Sequence, residues 1–206
     1  MSVLCVAAWC LAAFLAVGCS SSGEANRPQA GKGAAGGGTN PVVVIETSMG
    51  TIKAELWADK APLTVTNFLR YTDEKFFDGL IFHRVKSGFM IQGGGYTPDM
   101  RPRRTHEQIR NEARADVSNR RGTLAMARQP GPHTATSQFF INLVDNGGLD
   151  KGAQSPEDPG YCVFGKVIEG MDVVDRIARV KCKLNDMGEV ATPIETVEIK
   201  SVRRPE

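Results

Sequence analysis

The sequence lacks several features that point to common classes of function. The formal net charge of the 206 residues is only +2, so no excess of one sign favours nucleic acid as a partner. No G-x-G-x-x-G motif leads from a strand into a helix, so a nucleotide site has little support. The length and the 41% hydrophobic content predict one globular domain with a single core.

Cysteine is scarce, and most of it lies at the N-terminus. Cys5, Cys10 and Cys19 leave only Cys162 and Cys182 for the folded part of the chain. An even pair in an exported protein is compatible with one disulfide. The chain between the two residues runs along a strand, through a helix and back, so its ends could meet. Two free thiols are the alternative.

Histidine is also scarce. The three histidines, His83, His106 and His133, fit no metal-ligand spacing. We therefore expect no metal and no other cofactor.

The N-terminal segment indicates export. Residues 3–17 are apolar and uncharged, which is shorter than the roughly 20 residues of a membrane-spanning helix and suits a signal peptide. Small residues then precede Cys19, as in a bacterial lipoprotein signal, although no Lys or Arg precedes the apolar run. We predict a signal peptide over residues 1–18, lipidation of Cys19 and a disordered Gly/Ser-rich linker over residues 19–40. A simple secretory signal is the alternative.

Short strands and two helices are predicted after the linker. Residues 42–47 and 51–57 alternate around a turn and predict a hairpin with one buried face. Val65, Phe68 and Leu69 form a helical stripe after Pro62, and residues 171–179 form another. Further short strands are predicted over residues 80–82, 88–92, 123–127, 139–142, 163–167 and 196–202. This pattern favours a mainly β barrel or sandwich with two helices.

Two separated segments carry a family resemblance. Residues 82–92 read FHRVKSGFMIQ and residues 136–142 read TSQFFIN. Both resemble the active-site segments of the cyclophilins, a family of peptidyl-prolyl cis/trans isomerases, and the resemblance covers about residues 42–202. It implies a domain over residues 41–206 that forms a closed eight-stranded antiparallel β-barrel capped by two α-helices.

The resemblance also implies a set of site residues. Arg84 matches the catalytic arginine, and Gln92 matches the glutamine that braces it and bonds the substrate backbone. Ala127, Arg128 and Gln129 match the segment whose backbone binds the residue before proline, although the side chains at 128 and 129 depart from the family's usual ones. The remaining matched positions line the proline pocket or its groove: Phe89, Met90, Gln138, Phe140, Leu149 and Tyr161.

Three further departures from the family pattern are visible. Gly148 stands where many eukaryotic members carry a tryptophan, and Tyr161 stands where they carry a histidine. Because that tryptophan helps to bind cyclosporin, the resemblance predicts weak cyclosporin binding here. Residues 152–160 form a longer insertion, which we expect to be a surface loop.

The resemblance and the export signal together lead to one expected function. We expect a monomeric peptidyl-prolyl isomerase, tethered to a membrane outside the cytoplasm by a lipid anchor, that acts on proline-containing unfolded or exported polypeptides. The alternative is a non-catalytic chaperone or scaffold that binds proline peptides on the same fold.

Overall fold

The computed structural model describes residues 40–186 and 188–205. The predicted signal peptide, Cys19 and the predicted linker up to residue 39 lie outside these residues. Within them, no helix combines the length and the apolar character that a bilayer span requires.

The described residues form eleven strands, two α-helices and one 3₁₀ turn. In chain order these are β1 (Val42–Thr47), β2 (Gly50–Leu56), α1 (Pro62–Asp73), β3 (Leu80–Ile81), β4 (Arg84–Lys86), β5 (Met90–Gly93), β6 (Thr123–Met126), β7 (Phe139–Asn142), the 3₁₀ turn Gly147–Leu149, β8 (Val163–Glu169), α2 (Met171–Ile177), β9 (Cys182–Leu184), β10 (Val190–Pro193) and β11 (Glu198–Arg203).

Nine of the strands form one antiparallel sheet, in the order β3-β11-β1-β2-β8-β6-β7-β5-β4. The predicted first hairpin is confirmed, with Val42 opposite Glu55 and Thr47 opposite Gly50. Every second residue of β1 and β2 is buried, because alternate side chains of a strand face the core. The strands β9 and β10 form a separate two-stranded hairpin, which the sequence did not predict.

The prediction of a closed eight-stranded barrel is wrong in strand number and in closure. The sheet has nine strands, and its end strands, β3 and β4, are not paired with each other. The reason is a change of partner within one chain segment. Phe82 still donates its backbone N–H to Val197 beside β11, whereas Arg84 pairs with Gln92 of β5. The ladder is therefore interrupted at His83, and the fold is a mainly β curled sheet with two helices.

Helix α1 supplies the centre of the core. Its predicted stripe of Val65, Phe68 and Leu69 is buried, and the Phe68 ring lies 5.0–5.4 Å from the rings of three other phenylalanines. Burying a side chain of this size contributes about 1.5–3 kcal/mol. The helix begins at Pro62, as predicted, and a distant carboxylate caps it: Glu112 accepts the backbone N–H of Leu63 and of Thr64.

The predicted disulfide is not formed, because Cys162 and Cys182 are both free. The buried Cys162 thiol lies 3.5 Å from the Thr64 hydroxyl, and burial raises its pKa to about 11. The Cys182 sulphur instead contacts the carbonyl oxygens of Val85 and Val180. The two thiols thus have separate partners, and neither lies in the groove described below.

Candidate active site

Strand register brings the two motif segments together. Arg84 of β4 lies opposite Gln92 of β5, and Gln92 lies opposite Phe140 of β7. Phe140 in turn lies opposite Ala125 of β6. Since directly opposed residues share a face of the sheet, the polar pair and Phe140 form one row, although Phe140 is 56 positions beyond Arg84 in the chain.

The Arg84 guanidinium is held on two sides. Its Nε and Nη2 donate to the two carboxylate oxygens of Glu189 at 2.8 and 2.9 Å. Its Nη1 donates to Gln92 Oε1 at 3.3 Å, and its Cζ lies 5.9 Å from the centre of the Phe89 ring. A guanidinium has five N–H donors, so among the described residues these contacts leave one N–H on Nη1 and one on Nη2 for a ligand.

A second hydrogen bond continues from Gln92 across the groove. Gln92 Nε2 donates to Gln138 Oε1 at 2.9 Å. The segment that carries Gln138 is fixed on both sides, because Asn67 Nδ2 donates to the Thr136 carbonyl and Ser137 Oγ donates to the Gly94 carbonyl. Arg84, Gln92 and Gln138 thus form one hydrogen-bonded chain whose two ends are anchored to the scaffold.

Apolar side chains form a floor next to this chain. Met90 and Phe140 are buried, and Phe89, Leu149 and Tyr161 are partly exposed against them. Together with the polar groups they line a groove of about 710 Å³. A concavity that combines an apolar floor with a few convergent polar groups is a usual form of a small-ligand site.

Every site residue inferred from the resemblance lines this one groove. They are Arg84, Phe89, Met90, Gln92, Ala127, Arg128, Gln138, Phe140, Leu149 and Tyr161. Gln129, which belongs to the same segment as Arg128, lines it as well.

Arg128 and Tyr161 form one wall of the groove. The Arg128 Cζ lies 4.4 Å from the centre of the Tyr161 ring, and its Nε donates to the Gly160 carbonyl. The Tyr161 ring meets Phe140 edge-on, with 5.8 Å between centroids. Gly148, by contrast, is exposed, and a Cβ added there would meet no atom within 4 Å. A larger side chain would therefore meet no obstacle close to the backbone at position 148, next to Leu149 of the groove.

His83 also lines the groove, and it is uncharged near neutral pH. Burial, and then the neighbouring positive charge of Arg84, lower its pKa to about 4. Its Nδ1 is buried without a hydrogen-bond partner among the described residues, and its ring lies 4.6 Å from the Tyr96 ring. A neutral imidazole adds no charge to the Arg84 site.

Sequence reasoning missed one strong contact, that of Glu189 with Arg84. The two residues are 105 positions apart, and Glu189 belongs to neither motif segment. It also accepts a hydrogen bond from Lys86 Nζ at 3.0 Å. No local pattern distinguishes it from the other acidic residues of the chain, so the sequence carried no signal for it.

No group of three or more His, Cys, Asp or Glu side chains that could hold a metal occurs among residues 40–186 and 188–205.

The insertion at residues 152–160 is mostly exposed and contains no helix or strand, as predicted for a surface loop.

Comparison with known proteins agrees with this geometry. The family model described as "Cyclophilin type peptidyl-prolyl cis-trans isomerase/CLD" matches residues 42–204. The chain is 50% identical over 161 residues to peptidyl-prolyl cis-trans isomerase B of Escherichia coli (strain K12), which covers 78% of this chain and 98% of that protein. It is 48% identical over 161 residues to peptidyl-prolyl cis-trans isomerase cyp18 of Streptomyces antibioticus, covering 78% and 96%.

A solved structure has a similar fold. The crystal structure of a cyclophilin type peptidyl-prolyl cis-trans isomerase of Cryptosporidium parvum matches with a TM-score of 0.64 at 26% identity, over 81% of this chain and 98% of that one. The Cryptosporidium protein was also solved in the presence of the dipeptide Ala-Pro, and that structure matches with a TM-score of 0.63 at 27% identity, over 80% of this chain and 99% of that one.

Proposed function

The chain belongs to the cyclophilin-type peptidyl-prolyl cis-trans isomerase family, and we propose that it isomerises X-Pro bonds in the groove around Arg84. It is an isomerase like the relatives that are about half identical to it. The assignment of roles to Arg84, Gln92 and the groove residues is the part that we propose.

The reaction is limited by the resonance of the peptide bond. The partial double bond between carbon and nitrogen gives a barrier of about 18–20 kcal/mol, and an X-Pro bond exchanges over tens to hundreds of seconds. Twisting the bond removes the resonance, so the proline nitrogen becomes pyramidal and regains a lone pair. A donor that reaches this nitrogen binds the twisted amide better than either planar form, which is the requirement for catalysis.

The single observation that supports this mechanism best is the way Arg84 is held. Its contacts with Glu189 and Gln92 leave two N–H groups for a bound peptide, beside an apolar floor that suits a proline ring. Met90 and Phe140 would receive the ring, and Gln92 and Gln138 would bond the peptide backbone. The reaction needs no covalent step and no proton transfer.

An isomerase assay on proline peptides tests the role of Arg84. Arg84→Ala should lower kcat/KM by at least about 100-fold, equivalent to about 2.7 kcal/mol of transition-state stabilisation. Arg84→Lys should recover little, because an ammonium lacks the forked geometry. Arg70→Ala, which removes an exposed arginine of α1, is the matched control. Activity of Arg84→Ala equal to that of the control would refute the assignment, whereas a non-catalytic chaperone would give no turnover in either variant.

We also propose that the enzyme is lipid-anchored outside the cytoplasm and acts on exported polypeptides. The support is the sequence of residues 3–22 alone, in which an apolar run and small residues precede Cys19. Mass spectrometry of the mature protein should find an acylated N-terminal Cys19, and Cys19→Ser should release the protein from membranes. A mature protein that begins elsewhere without lipid would contradict the proposal.

A further inference from the structure

We propose that Glu189 is a positioning residue for the isomerase reaction, because it holds the Arg84 guanidinium in its working orientation. This inference rests on the proposed catalytic role of Arg84. Glu189 itself comes from the hairpin of β9 and β10, which lies outside both motif segments.

The hairpin presents Glu189 in a fixed place. The Asn185 backbone N–H donates to the Glu189 carbonyl, and the Glu189 backbone N–H donates to Asn185 Oδ1. The Gly188 N–H closes the turn on the Asn185 carbonyl. The Glu189 backbone is therefore held by two hydrogen bonds to Asn185, and its carboxylate can act as a fixed acceptor.

The contact has the geometry that orients a guanidinium most strictly. Both carboxylate oxygens of Glu189 accept, one from Nε and one from Nη2 of Arg84. Two parallel hydrogen bonds define the plane of the guanidinium as well as its position. The two side chains are only 22% and 24% exposed, so solvent competes less for this pair than for an ordinary surface pair.

Orientation matters here because arginine is flexible. A long side chain that is free to rotate populates many rotamers, and most of them place the guanidinium away from the proline nitrogen. Gln92 alone would fix the Arg84 guanidinium through one contact of 3.3 Å, which cannot set its plane. Glu189 adds the second and third contacts, on the edge of the guanidinium that includes Nε, and leaves one N–H on each of Nη1 and Nη2.

A carboxylate next to a catalytic cation could also weaken the electric field of that cation at the groove. Lys86 Nζ lies 3.0 Å from the same Glu189 carboxylate, so the three side chains together keep one positive charge. The carboxylate stays ionised throughout the neutral range, because hydrogen bonds from Arg84 and then Lys86 lower its pKa to about 2. The positioning effect should therefore exceed the loss of field at the groove.

The test is steady-state isomerase kinetics on the full chain. Glu189→Ala should lower kcat about tenfold while KM stays within about twofold. The reason is that the Arg84 guanidinium acts only in the transition state, and in this variant it is no longer held in place. Glu189→Gln keeps one acceptor oxygen and should lose about threefold, since half of the bidentate contact survives. Glu195→Ala removes an exposed carboxylate a few residues further on, with the same change of charge, and should behave like the unmodified protein.

A double variant separates positioning from direct binding or from stability. In an Arg84→Ala background, Glu189→Ala should cause no further loss, because Glu189 acts only through Arg84. Unchanged or higher kcat in Glu189→Ala, a raised KM at constant kcat, or losses that add to those of Arg84→Ala would each overturn the proposal. Arg84→Ala with full activity would overturn the proposed role of Arg84 as well, so the two failures are distinguishable.

Discussion

A methyl group at position 95 should disturb the active site without replacing any side chain that lines the groove. Gly95 is buried beside Gln138, and a Cβ added to it would lie 2.5 Å from Cγ of Gln138 and 2.7 Å from Cδ and Nε2. Carbon atoms normally approach to about 3.5–4.0 Å. The Gln138 side chain must therefore move by about 1 Å, which it can do because it is partly exposed.

The movement has a defined consequence for the hydrogen-bonded chain. It stretches the 2.9 Å bond from Gln92 to Gln138, and a hydrogen bond of this kind contributes about 1 kcal/mol. Gln92 then loses its second anchor, so its 3.3 Å contact with Arg84 is less well fixed. A loss of about 1–1.4 kcal/mol in the transition state corresponds to a five- to tenfold fall in kcat/KM.

Isomerase assays on three variants check this reasoning. Gly95→Ala should fall about five- to tenfold in kcat/KM while its unfolding free energy changes by less than about 1.5 kcal/mol, because a flexible side chain absorbs the clash. Gly147→Ala is the matched control, since the nearest atom to a Cβ there is 4.0 Å away. In a Gln138→Ala background the Gly95 substitution should have no added effect. Full activity of Gly95→Ala, or an added loss without Gln138, would refute the argument.

Two further predictions concern the rim of the groove and its pH dependence. Gly148→Trp should tighten cyclosporin binding, measured by titration, because the open position can take an indole that adds a large apolar contact; tight inhibition of the unmodified chain would contradict this. For His83, the pKa in the folded protein is about 4, below the ordinary value of 6.5. Between these two pH values the unfolded chain therefore binds more protons than the folded one. The free energy of unfolding should fall as the pH drops from 6.5 towards 4, by at most about 3 kcal/mol. Thermal unfolding at several pH values should follow this slope, and His83→Gln should lack most of it.

Local sequence determined the elements that depend on neighbouring residues. The alternation in residues 42–47 and 51–57 was sufficient for the first hairpin, because a two-residue period places every second side chain on the core face. The spacing of Val65, Phe68 and Leu69 was sufficient for α1. The motif segments were sufficient for the polar row and much of the floor of the groove, because all six site residues that they contain line it.

Local sequence was not sufficient where the chain changes partner. The sequence predicted a strand over residues 80–82, yet residues 80–86 contain two short strands, β3 and β4. These pair with β11 and with β5 respectively, so the sheet is interrupted at His83. The pair Cys162 and Cys182 shared a plausible path through strand and helix, but each sulphur found a different partner. Pairing of this kind depends on three-dimensional distance, which spacing along the chain does not supply.

The contacts that complete the site come from the tertiary structure alone. Glu112 accepts the backbone N–H of Thr64 at the start of α1, although it lies 48 residues further along the chain. Glu189 contacts Arg84 across a separation of 105 residues. A glutamate has the same local sequence pattern whichever part of the fold it contacts, so nothing near it in sequence indicates its partner. The motif segments therefore indicated the candidate cation, Arg84, and the fold decided which carboxylate contacts it.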